Sequence, residues 1–105
     1  MALEGYFWVA RVSEIPLGQR KLVNANGEEV LVLNVEGKFY AIGSKCTHLG
    51  FSLLGGPLEG TVVTCPNHKA KFDITTGKVL SLPAKVSLPT YEVKVDGEDI
   101  YLKAV

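Results

Sequence analysis

Val30-Leu31-Val32-Leu33-Asn34-Val35-Glu36-Gly37-Lys38-Phe39-Tyr40-Ala41-Ile42 decides the fold. Two runs of β-branched and aromatic residues flank Glu36-Gly37, and that pattern reads as a β-hairpin. The same grammar repeats on either side. Upstream, Lys21-Leu22-Val23 and Val30–Leu33 flank Asn26-Gly27, a second hairpin signal. Tyr6-Phe7-Trp8-Val9-Ala10 reads as a first strand, and Pro16-Leu17-Gly18 as a turn. Downstream, Tyr91-Glu92-Val93-Lys94-Val95 alternates apolar with charged residues, a period of two that predicts one buried and one solvated face. Asp96-Gly97 turns the chain into a last strand, Ile100-Tyr101-Leu102.

No stretch keeps a helical period over three turns. The expected class is all-β: a small antiparallel sandwich or barrel base with an inserted subdomain of loops and short strands. The 105 residues allow one domain, 1–105. Its base is expected from roughly 1–42 and 88–105, and the insertion from roughly 43–87. Within the insertion, Val62-Val63-Thr64 and Lys71-Phe72-Asp73 are the expected strands, with Thr76-Gly77 as a turn.

Composition removes several function classes. Hydrophobic residues make up 47% and charged residues 21%, which suits a globule and not a disordered tail. Eleven basic and eleven acidic residues cancel, so binding nucleic acid by phosphate neutralisation is not expected. No apolar run reaches the roughly 20 residues that span a bilayer. Met1-Ala2-Leu3-Glu4 lacks the basic and apolar regions of a signal peptide, so a cytoplasmic monomer is expected.

The chain has two cysteines and two histidines, and all four fall into two short motifs, Cys46-Thr47-His48 and Cys65-Pro66-Asn67-His68. Each motif puts one thiol and one imidazole on a tight loop. Zinc ribbons and fingers usually keep like ligands together, so the mixed loops suit a two-iron cluster better. A structural zinc interaction module and plain loop residues stay open as alternatives at this level.

These motifs, with Leu54-Gly55-Gly56, Phe72-Asp73-Ile74-Thr75-Thr76-Gly77, Leu82-Pro83-Ala84 and the hairpin from Tyr91 to Leu102, resemble the Rieske 2Fe–2S domain. The resemblance implies one 2Fe–2S cluster, with Cys46 and Cys65 on one iron and His48 and His68 on the other. It implies an electron-transfer protein, not an enzyme, with a reductase and an oxygenase or similar acceptor as redox partners. A non-catalytic small subunit of a larger oxidoreductase, such as a nitrite reductase, is the alternative. With neutral imidazoles the oxidised centre carries no net charge, so adding an electron costs less than in an all-thiolate cluster. No histidine remains for a mononuclear iron site, so the chain does not hold an oxygenase centre of that kind.

Departures from the family are informative. Ala70 and Phe72 stand where quinol-oxidising relatives use hydroxyl donors to the cluster sulfurs, and Phe51 and Asn67 lie near the places of their extra disulfide cysteines. These differences point to the soluble Rieske-type ferredoxins. Lys69 follows the second histidine where many relatives have glycine, so it must accept a glycine-like backbone or change it. Lys45, Lys69, Lys71 and Lys85 could form a basic collar. Leu49, Phe51, Leu53 and Leu54 are expected to pack around the cluster, and Pro83 to belong to a third loop covering it. Trp8, Tyr40 and Tyr91 are expected in the core, and Asp73 as a turn acceptor.

Overall fold

The structure, a computed structural model, describes residues 5–25, 27–45, 50, 52–66, 69–81 and 86–104. Nine strands form two antiparallel sheets: β1 Phe7–Arg11, β2 Arg20–Ala25, β3 Glu28–Val35, β4 Lys38–Gly43, β5 Leu58–Glu59, β6 Val62–Thr64, β7 Lys71–Asp73, β8 Thr90–Asp96 and β9 Asp99–Ala104. A 3₁₀ turn at Val12–Glu14 follows β1. The first sheet has the order β1-β9-β8-β4-β3-β2, and the second β5-β6-β7. The edges β1 and β2 of the larger sheet approach each other, which nearly closes it into a barrel. The all-β expectation holds.

The β3–β4 hairpin follows the sequence reading. Val35 pairs with Lys38 across Glu36-Gly37, and both turn residues have positive φ, +53° and +88°. That is the geometry of the primed turns whose twist matches the strands. Asn34 locks the corner from inside. Its side-chain amide donates to the Ile15 carbonyl at 2.9 Å, and its Oδ1 accepts from the Gly37 amide at 3.0 Å. This polar side chain is buried with its bonds made, as burial requires. Asn26 lies outside the described residues. Its neighbour Gly27 has φ +87°, and Ala25 pairs with Glu28 across the expected turn.

The unbroken apolar run of β3 has a structural reason: both of its faces are covered. Val30 and Val32 point into the barrel with Ala10, Ile15, Val23, Ala41, Ile100 and Leu102. Leu31 and Leu33 point the other way, into a second core with Ile42, Leu53, Val63, Cys65, Phe72 and Leu88. The strand is thus the wall between the two cores.

Two expectations need correction. The alternation in β8 does not bury one face along its whole length, since Val95 is 45% exposed. The strand meets β4 only at Ala41–Tyr91 and Ile42–Thr90, so its far half has no neighbour on that side to pack against. Trp8 is not a core residue, being 53% exposed on edge strand β1, where its indole N–H donates to Asp99 Oδ1 at 3.0 Å. Tyr40 and Tyr91 are half-buried against the two cores.

Candidate metal centre

The second motif begins where β6 ends. Thr64 pairs with Lys71 of β7, so residues 65–70 form the hairpin loop between the strands. Two backbone bonds close that loop: the Cys65 amide donates to the Ala70 carbonyl at 2.7 Å, and the Lys69 amide to the Cys65 carbonyl at 2.9 Å. Closing it this tightly puts Lys69 at φ +62°. Lysine therefore accepts the left-handed backbone that glycine would take without cost.

The first motif sits in a matching frame. Lys45 and Ser52 form an antiparallel bridge, and the Leu53 amide donates to the Ser44 carbonyl at 2.7 Å. Six residues separate Lys45 from Ser52, the same number that separates Thr64 from Lys71. In each loop the cysteine is the first residue after the last paired position. Cys46, His48, Leu49, Phe51, Asn67, His68, Pro83 and Lys85 lie outside the described residues. Cys65 is the one expected ligand whose placement the structure gives.

Cys65 is fully buried and forms no disulfide. It shares a core with Leu53, Ala70 and Phe72, all fully buried too. Ala70 and Phe72 bring no hydroxyl toward it, in line with the sequence reading. Leu53 takes the expected packing role. Leu54 does not, being 41% exposed. Among the described residues no three His, Cys, Asp or Glu side chains gather into a cation site.

The turn Leu53–Gly56 joins the roots of both loops, a feature with no sequence signal beyond its paired glycines. The Gly56 amide donates to the Leu53 carbonyl at 3.0 Å. A Cβ on Gly56 would stand 2.2 Å from the Thr64 carbonyl oxygen, so this turn presses directly on the residue before Cys65. Arg20, at the start of β2, braces the turn from the barrel. Its Nη1 donates to the Gly56 carbonyl at 2.6 Å and reaches the Leu53 carbonyl at 3.5 Å. Composition could not suggest this arginine, because only the sheet topology brings residue 20 to residue 56.

Asp73 holds the turn after β7, as expected. Its Oδ1 accepts from the Thr75 amide at 2.8 Å and the Thr75 hydroxyl at 2.6 Å. The Thr75 hydroxyl bond is the main reason its carboxyl titrates below the ordinary value.

Residues 5–92 match the Rieske [2Fe-2S] domain. The chain belongs to that family. The ferredoxin component of the naphthalene 1,2-dioxygenase/salicylate 5-hydroxylase systems of a Ralstonia species is 38% identical over 98 residues, covering 91% of this chain and 94% of that one. The biphenyl dioxygenase ferredoxin subunit of Pseudomonas sp. (strain KKS102) is 40% identical over 90 residues, 85% of this chain and 83% of that one. Among solved structures, the ferredoxin of carbazole 1,9a-dioxygenase from Nocardioides aromaticivorans IC177 superposes with a TM-score of 0.87 at 29% identity, over 93% of this chain and 96% of that one. A chain in the complex of reduced oxygenase and oxidised ferredoxin of carbazole 1,9a-dioxygenase gives 0.85 at 34% identity, over 94% and 93%. This Rieske protein is therefore an electron-transfer ferredoxin resembling dioxygenase ferredoxin components, and its cofactor is a Rieske [2Fe–2S] cluster. The chemistry of the described donor fits that group: Cys65 offers a free sulfur donor, and the apolar core around it keeps water away from that sulfur.

Proposed function

We propose that this Rieske ferredoxin carries single electrons from a reductase to the terminal oxygenase of a dioxygenase system, on a cluster held by Cys46, His48, Cys65 and His68. When bound, the cluster supplies a one-electron centre whose potential is raised by imidazole ligation. The chain's own residues do the rest. Leu53, Ala70 and Phe72 exclude water around Cys65. The backbone bonds of residues 65–70 fix where that cysteine points, and the Leu53–Gly56 turn sets one loop against the other.

The observation that carries this reading is the matched pair of loop frames, Lys45–Ser52 and Thr64–Lys71, with a cysteine in first place in each. The two-part organisation belongs to the same proposal: a base of roughly 1–42 and 88–105, and a cluster-binding part of roughly 43–87. It is supported by the sheets, since β1–β4 with β8 and β9 make one and β5–β7 the other. The relatives' names, which place them in dioxygenase systems, support the choice of partners. We place the protein in the cytoplasm as a monomer. The unpaired Cys65 suits a reducing compartment.

The test is metal and sulfide analysis with EPR of the dithionite-reduced protein. The expected outcome is a two-iron, two-sulfide protein whose average g lies below that of an all-thiolate cluster. His68→Cys should keep a cluster with a lower potential. An unchanged potential in that variant would remove His68 from the ligand set, and zinc in place of iron would remove the proposal.

A further inference from the structure

The lysines of the described residues fall into two groups. Lys21 pairs with Glu14. The Lys38 ammonium lies over the Tyr40 ring at 5.7 Å, and those of Lys94 and Lys103 over Tyr6 at 5.8 and 5.6 Å. Lys45, Lys69, Lys71 and Lys78 are exposed and have no such partner among the described residues. Three of these four stand on the frames of the two loops. Lys45 closes the first, Lys69 closes the second, and Lys71 pairs with Thr64 beside Cys65.

Lys69 makes the placement informative. A non-glycine residue in the left-handed region costs on the order of 1 kcal/mol, and among the described residues no hydrogen bond, ion pair or ring contact of the Lys69 side chain offsets that cost. A rule broken locally without a structural return points to a role outside the fold.

The acidic groups mostly lie elsewhere. On the small sheet Glu59 and Asp73 share the row opposite Val62, at the end away from Cys65, and Lys78 sits with them across from Asp73. Asp96, Glu98 and Asp99 cluster at the β8–β9 turn. That turn is about 20 Å along β8 from Thr90, which pairs with Ile42 near the first loop. Glu28 and Glu29 are the exception. They line a cleft with Gly43, Ser44, Lys45, Pro89 and Tyr91, where the Glu29 carboxylate accepts from the Ser44 hydroxyl at 2.9 Å. The net charge of zero therefore hides an uneven distribution.

We infer that Lys45, Lys69 and Lys71 form a cationic docking face at the frames of the two cysteine loops, and that it recognises a redox protein presenting carboxylates. The inference rests on the proposed function. A local field of this kind steers association although the whole molecule is neutral, because charges beyond a Debye length are screened from the encounter.

The test uses two small one-electron oxidants of opposite charge, hexacyanoferrate(III) and hexaamminecobalt(III). Each takes one electron from the dithionite-reduced protein, which returns to its oxidised state. Stopped-flow rates are compared as ionic strength rises from about 0.01 to 0.15 M, where the Debye length falls from about 30 to about 8 Å. The hexacyanoferrate(III) rate is expected to fall about tenfold, and the hexaamminecobalt(III) rate to stay level or rise. The triple variant Lys45→Gln, Lys69→Asn, Lys71→Gln should lose most of that salt dependence while keeping the parent EPR spectrum. Asparagine is chosen because it tolerates the left-handed backbone. Lys78→Gln, at the far end of the small sheet, should behave as the parent. Equal salt dependence for both oxidants, or a slope that survives in the triple variant, overturns the docking face and leaves the carrier role standing. A protein without a reducible centre sinks both.

Discussion

The two sheets are built from similar residues but are held in different ways. In the larger one, β2–β3, β3–β4 and β8–β9 each run through six consecutive register pairs. In the smaller one, β5–β6 has two and β6–β7 three. Ladders that short do not stand alone in water. The small sheet owes its order to burial: Val63, Phe72 and Ile74 pack on Leu31, Leu33 and Ile42 of the larger sheet. The part that carries the site is therefore the part held by packing. Its cysteine frame is as firm as the hydrophobic contact beneath it.

The sharpest way to break this contrast is Phe72→Ala. Phe72 is fully buried at the centre of that contact. Truncation should cost about 3–5 kcal/mol and fall mainly on the small sheet. Native-state hydrogen exchange should quicken at Val62–Thr64 and Lys71–Asp73, with the β8–β9 amides changed far less. Uniform quickening would mean that the two sheets open as one unit, and the contrast would be lost.

Gly56→Ala probes the seam between the loops. The new methyl group would meet the Thr64 carbonyl at 2.2 Å, and a backbone oxygen has nowhere soft to yield. A loss of about 1–3 kcal/mol is expected, read as a lower thermal midpoint, together with an altered EPR line shape. Parent values for both would show that the turn does not set the spacing of the loops. Arg20→Met follows with a smaller effect, about 1–2 kcal/mol, because it leaves the Gly56 carbonyl without its partner from the barrel. Arg20→Lys should recover part of that loss, and a lysine variant no better than methionine would count against the bond.

The sequence was most legible where one rule acted alone. The β3–β4 hairpin needed only its β-rich runs and a two-residue turn, and it formed as read. Elsewhere topology overruled pattern. Val95 alternates correctly but lies on the half of β8 that β4 does not reach, so its inward position is not covered. Trp8 has a core residue's composition but sits on an edge strand. β5 is two residues long and exists only because β6 lies beside it, so no periodicity could announce it. The candidate site divided in the same way. The two cysteines and two histidines and their spacing were visible in the chain. The equal loop frames were not, because they depend on pairings such as Lys45–Ser52 that no local signal encodes.

The smallest effect concerns the end of the small sheet away from Cys65, and it separates local turn chemistry from packing. Asp73 holds its carboxylate form through the Thr75 hydroxyl first and backbone amides second, so its folded pKa lies below the ordinary value. A depressed carboxyl contributes stability above the unfolded pKa and loses it as pH falls through the folded one. Thr75 is exposed and the bond lies at the surface, so solvent keeps the contribution small. Thermal midpoints of the parent should therefore exceed those of Asp73→Asn near neutral pH. The gap should narrow as the pH drops below the usual carboxylate range. A gap that stays constant into acid would show that shape, and not charge, is what Asp73 gives the turn. The small sheet would then depend on packing and turn geometry alone, with no electrostatic share at its far end.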